Sequence, residues 1–140
     1  MRLLPALAFG SLMLPLAAQA NDPTSYAQPD QVRVTHLDLD LRIDFPQRQL
    51  DGQATLKLDW KNPEAQSLVL DTRDLKIAKV EALAADGKTT PLKYALAPRD
   101  KVLGSKLTIA APKHPAQVRI VYTTSPEASG LQWLTPAQTA

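Results

Sequence analysis

The 140-residue chain has no cysteine, so only oxygen ligands, 14 acidic residues among them, and the imidazoles of two histidines are available to a metal. His36, Asp38 and Asp40 recur at every second position, which puts them on one face of a strand, where an imidazole and two carboxylates could hold a cation. Alternating polar residues are also what any half-exposed strand shows, and we read these three as a solvated outer face. His114 lies far along the chain, and no His-Glu-x-x-His helix would pair two imidazoles, so zinc catalysis within this chain is not expected. Ser125 and Ser129 occupy Thr124-Ser125-Pro126-Glu127-Ala128-Ser129-Gly130, which lacks the nucleophile-elbow pattern and reads as a loop. The five glycines are scattered, so no loop cradles a phosphate. Trp60 and Trp133 could stack on a sugar, but Trp60 falls in the apolar phase of its segment, and we read both as packing anchors. No catalytic, cofactor-binding or metal-ligating residue is therefore assigned.

The segments that carry these residues alternate with a period of two. Leu37, Leu39, Leu41, Ile43 and Phe45 share one face, while Asp38, Asp40, Arg42 and Asp44 share the other, which predicts a half-buried strand. Pro46-Gln47-Arg48-Gln49 makes a turn, and Gly52, Ala54, Leu56, Leu58 and Trp60 then alternate against Asp51, Gln53, Thr55, Lys57 and Asp59. Two long strands so closely joined predict an antiparallel hairpin. Val32 and Val34 are out of phase with Leu37, so a bulge is expected at Thr35-His36, switching the strand from one sheet surface to another. Asn62-Pro63-Glu64 leads into Ser67-Leu68-Val69-Leu70-Asp71, an apolar run that suits a strand covered on both faces. Leu75 to Leu83 and Pro91 to Leu96 flank the hairpin signal Asp86-Gly87. Lys106 to Ala110 and Gln117 to Thr124 supply two more strands. No segment beyond the N-terminal leader has a helical period. About seven strands at this spacing predict an all-β fold, a mainly antiparallel sandwich or a strongly bent sheet.

At the N-terminus, Arg2 precedes an apolar run from Leu3 to Ala17, and Ala18-Gln19-Ala20 has the small-x-small pattern of a signal-peptidase site. We expect residues 1–20 to be a cleavable signal peptide, with Ala18 and Ala20 at the cut and Asn21 starting the mature chain. Pro5 and Pro15 interrupt the run, and it is shorter than the ~20 residues a spanning helix needs, so no stable membrane anchor is expected. No Cys near the cut supports a lipoprotein. The expected compartment is a bacterial periplasm or the cell exterior. Residues 21–140 have the size of one domain with one core, held by packing without disulfides. Net charge is +2, with basic and acidic residues interleaved, which gives no sign of nucleic-acid binding. Leu131-Gln132-Trp133-Leu134-Thr135-Pro136 runs toward the C-terminus without a polar tail, so we expect an incomplete domain whose exposed strand edges invite aggregation or partner binding.

Three stretches resemble successive landmarks of one family. They are Val34-Thr35-His36-Leu37-Asp38-Leu39-Asp40-Leu41, Ser67-Leu68-Val69-Leu70-Asp71-Thr72-Arg73-Asp74-Leu75 and Leu131-Gln132-Trp133-Leu134-Thr135-Pro136. The family is the M1-type zinc aminopeptidases related to aminopeptidase N, and within it the leukotriene-A hydrolase branch. The resemblance runs from about Asp22 to Thr139. It implies a saddle-shaped N-terminal β domain that packs on a thermolysin-like catalytic domain and shapes its active-site entrance. It also implies a parent that needs zinc and removes N-terminal residues from peptides. Neither the family's Gly-x-Met-Glu-Asn motif nor its His-Glu-x-x-His zinc motif is present, so no catalytic residue carries over. Two other functions fit the residues less well. A free-standing secreted β-sandwich could bind protein or glycan, and an enzyme could act through the first strand's Asp and His residues, although no convergent motif supports the latter.

Overall fold

The computed structural model describes residues 22–139. Among these residues eight strands run in chain order: β1 (Val32–Asp44), β2 (Gln49–Trp60), β3 (Ser67–Thr72), β4 (Leu75–Leu83), β5 (Thr89–Pro91), β6 (Tyr94–Leu96), β7 (Ser105–Ala110) and β8 (Gln117–Thr124). A four-residue helix, α1 (Pro136–Thr139), follows. All pairings are antiparallel, in a five-stranded sheet ordered β1-β2-β8-β4-β5 and a three-stranded sheet ordered β3-β7-β6. The all-β antiparallel expectation thus holds. The proposed signal peptide and its cut after Ala20 lie outside the described residues.

Register across the large sheet explains how its apolar face is built. Leu37 pairs with Leu56, Leu56 with Val118, and Val118 with Ala82; one step along, Leu39, Ala54, Ile120 and Val80 form the next row. These rows face the small sheet, whose Leu68, Leu107 and Ile109 are almost wholly buried and complete the core with Leu56, Val80, Val118 and Ile120. Burying each such side chain contributes roughly 1.5–3 kcal/mol.

The bulge expected at Thr35-His36 is present, since the β1–β2 register shifts between Val34 and His36. Its consequence is the reverse of the one expected. Val34 pairs with Leu58 and Leu37 with Leu56, so the extra residue keeps both apolar side chains on one face instead of carrying the strand to another surface. A second shift between Ile77 and Lys79 does the same for Ile77 and Val80 in β4.

Other expectations differ in detail. Pro91 to Leu96 is not one strand: β5 closes the Asp86-Gly87 hairpin on β4, while β6 pairs with β7 in the other sheet, with Leu92 and Lys93 between them. The turn after β1 spans residues 45–48, with Arg48 at φ 52° and the Asp44 carboxylate accepting from Gln47 N–H at 2.9 Å. The largest departure is β1 itself. Its apolar face is not half-buried; Leu37, Leu39 and Ile43 are each more than half exposed and Phe45 is 72% exposed. The three-stranded sheet is too narrow to reach under the outermost strand. Alternation predicts which side chains share a face, but cover comes from the facing layer.

Candidate functional site

The residues able to do chemistry are dispersed. His36 and Asp38 lie on the outward face of β1, where imidazole Nε2 and carboxylate Oδ1 are 3.1 Å apart and both side chains are more than half exposed. Asp40, on the same face, accepts a long bond from Gln53 Nε2 at 3.4 Å. Among the described residues, no group of three His, Asp or Glu side chains is placed to hold a metal ion. These residues do not fit a zinc site. A solvated imidazole already engaged with one carboxylate offers neither the closed donor set nor the supporting shell that zinc requires.

His114 has a structural task. Its ring stacks on Trp60 with centroids 4.3 Å apart and planes at 9°, and Nε2 donates to the Ala65 carbonyl at 2.6 Å. Trp60 Nε1 donates to the Pro115 carbonyl at 3.0 Å. The pair fastens the 111–116 turn to the end of β2, and the His114 ring occupies an indole face that a sugar would need. Ser125 closes its own turn, its Oγ accepting from Glu127 N–H at 3.2 Å and donating to the Glu127 carboxylate at 3.4 Å, with no imidazole in that network. Trp133 meets Phe45 edge to face, with centroids 6.0 Å apart and planes at 86°. Both Trp residues therefore act as the expected anchors.

What the fold assembles is apolar. A groove of about 440 Å³ opens between the sheets along the β1 side, lined by Leu37 and Leu39 of β1, Leu56 of β2, Leu70 of β3, Ile77 of β4 and Tyr122 of β8. Desolvation there pushes the Tyr122 phenol above its ordinary value. At the rim, the Asp71 carboxylate accepts from Ser25 Oγ at 2.6 Å and Tyr26 N–H at 2.7 Å, holding the segment before β1 against β3. A second hollow, also about 440 Å³, lies at the far end of β1 among Ile43, Phe45, Leu50, Leu131 and Trp133. Neither hollow is legible in the residue pattern, because the first depends on where the small sheet ends and the second on how residues 131–139 fold back on β1 and β2.

At that same end, carboxylates tie the loops between β3 and β4 and between β6 and β7. Asp74, at φ 55°, accepts from Arg99 Nε at 2.8 Å, and this hydrogen bond with its charge attraction raises the guanidinium's proton affinity. Asp100 accepts from the N–H groups of Leu103 and Val102 at 2.8 and 2.7 Å, which hold its carboxyl below the ordinary range.

Fold and site together define an antiparallel two-sheet β protein that presents apolar surface and, among the described residues, no assembled catalytic or metal-binding group. No family model matches the chain. It is 36% identical over 124 residues to the leukotriene A-4 hydrolase of Xenopus laevis, a match covering 85% of this chain and 20% of that protein. It is 34% identical over 122 residues to leucine aminopeptidase 2 of Yarrowia lipolytica, covering 85% of this chain and 18% of that protein. Yeast LTA4 hydrolase, solved in complex with bestatin, superposes with a TM-score of 0.65 at 24% identity, over 81% of this chain and 19% of that chain. The native Saccharomyces cerevisiae enzyme gives 0.63 over 80% and 18%. The homologues of this chain are thus leukotriene A-4 hydrolases and leucine aminopeptidases of the M1 family, as its three landmarks implied. The chain spans about one fifth of the length of the curated relatives it matches.

Proposed function

We propose that this chain is the non-catalytic N-terminal β domain of an exported zinc aminopeptidase of the leukotriene-A hydrolase type. In that parent it packs on the catalytic domain and shapes the active-site entrance through which peptide substrates pass. The observation that carries this reading is sequence identity above 30% across 85% of the chain to proteins of which the match covers only about a fifth. The exposed apolar face of β1 and the groove beside it support the packing role, because apolar surface of that extent in water calls for a cover. A saddle-shaped sheet is the form this role predicts. Zinc belongs to the parent, held by residues outside this chain, and no step of its chemistry is assigned here. Export to the periplasm or beyond rests on the leader ending at Ala20.

The reading is tested by supplying the full chain with zinc and a leucyl anilide. No turnover is expected at any zinc concentration. Zinc-dependent release of the aniline by this chain alone would overturn the non-catalytic assignment.

A further inference from the structure

The segment before β1 is anchored at one point and tethered at another. Near β1 it turns tightly, with the Gln28 carbonyl accepting from Gln31 N–H at 2.9 Å and Val32 N–H at 3.1 Å. The Gln31 carbonyl accepts from Lys61 and Asn62 N–H at 2.9 and 3.1 Å, and Asn62 Nδ2 donates to Gln31 Oε1 at 2.7 Å. These bonds fix the turn to the loop after β2. Beyond it, among the described residues, 22–27 are hydrogen-bonded to the rest of the fold at Asp71 alone, through Ser25 Oγ at 2.6 Å and Tyr26 N–H at 2.7 Å. Their other bonds, among Asp22, Thr24, Ser25 and Ala27, stay within the segment.

Little apolar burial supplements that tether. Ser25 and Tyr26 are half-buried, while Asp22, Pro23, Thr24 and Ala27 are exposed. Asp71 is itself exposed, near the end of β3. A segment with few buried apolar contacts and solvent-exposed hydrogen bonds opens locally at far lower cost than the whole domain unfolds. Its position gives such opening a consequence, because Ala27 forms the wall of the interlayer groove beside Leu70, Asp71 and Thr72. Hydrogen bonds to a carboxylate are roughly twice as strong as neutral ones, so the two at Asp71 set how much of the time that wall is in place.

We propose that residues 22–27 form a strap, hinged at the 28–31 turn and latched on Asp71, whose release opens the β3 end of the groove while both sheets stay folded. Hinge, latch and strap all lie within this chain, so the device stands apart from the parent proposed above. Native-state hydrogen exchange of the full chain should give Tyr26 N–H a protection factor at least about tenfold below those of β7, the central strand of the small sheet. Asp71→Ala should lower the Tyr26 protection by about another tenfold and leave β7 unchanged within about twofold. Ser25→Ala removes one of the two bonds and should lower it less. Added to Asp71→Ala, it should change the protection by less than about twofold, because both act through one latch.

Access to the groove is a readout that a loosened surface segment alone would not move, and the absence of native cysteine lets Leu70→Cys report it. Its thiol should react with a maleimide about tenfold faster once Asp71→Ala is added, in step with the Tyr26 exchange. If Asp71→Ala lowers β7 protection as well, Ser25→Ala, which leaves β3 untouched, decides the matter: no selective loss at Tyr26 would overturn the latch. Tyr26 protection equal to that of β7, protection indifferent to Asp71→Ala, or Leu70→Cys labelling at one rate with and without the latch would each overturn the proposal.

Discussion

A glycine whose neighbours leave no room for a methyl group shows how finely single residues fit this fold. A Cβ added to Gly104 would stand 2.3 Å from the Thr72 carbonyl oxygen, on a backbone already at φ 78°. Gly104→Ala should therefore cost about 1–3 kcal/mol in urea unfolding. Gly87, at φ 82°, has nothing within 4 Å, so Gly87→Ala should cost only about 1 kcal/mol; equal losses at the two sites would contradict the steric argument. Charge makes a separate prediction. Asp22, Asp86 and Asp100 all titrate below the ordinary value of 3.8, because of hydrogen bonds from Thr24, from Lys88, and from Leu103 and Val102 respectively. A carboxyl depressed in the folded state adds stability that is present above its unfolded value and lost as pH falls through its folded one. The unfolding midpoint should fall below about pH 4, and Asp100→Asn should reduce that acid sensitivity. At this scale, alternation marked His36 and Asp38 as an outward pair, and the structure agrees. The stacking of His114 on Trp60 joins residues far apart in sequence, and no local pattern encodes it.

Strands were the most legible elements, because turn chemistry punctuates them. Leu75–Leu83 and Gln117–Thr124 occur as the pattern predicts, and the Asp86-Gly87 signal does close a hairpin. Both β1 and β4 interrupt their alternation with a bulge, and in each case the extra residue restores the apolar face. A phase break in sequence is equally compatible with a change of surface, so only the register could decide between them. Burial of β1 was illegible for another reason: Leu39 and Leu107 look alike in sequence, yet one is 56% exposed and the other is fully buried, because a second layer covers only the latter. Leu107→Ala should cost about 2–5 kcal/mol. Leu39→Ala should cost below about 1 kcal/mol. Comparable losses in chemical denaturation would show that β1 is covered after all.

For the whole molecule, the decisive feature is a sheet broader than the layer beneath it. Leu37, Leu39, Ile43 and Phe45 extend past the three-stranded sheet, leaving an apolar shelf and a groove where a neighbour would sit. Relatives about five times as long as the matched segment offer a physical reason for that shelf, since a larger protein has the chain to cover it. On the proposal of export, the mature form should begin at Asn21, which mass spectrometry of the purified protein would read directly; an intact Met1 start would contradict it. The central proposal is that this β domain serves a zinc aminopeptidase whose chemistry is encoded elsewhere. The most direct test is to sequence the genomic DNA immediately downstream of the codon for Ala140. The account predicts an open frame that continues through Gly-x-Met-Glu-Asn and His-Glu-x-x-His. A stop codon with neither motif in any following frame would contradict it.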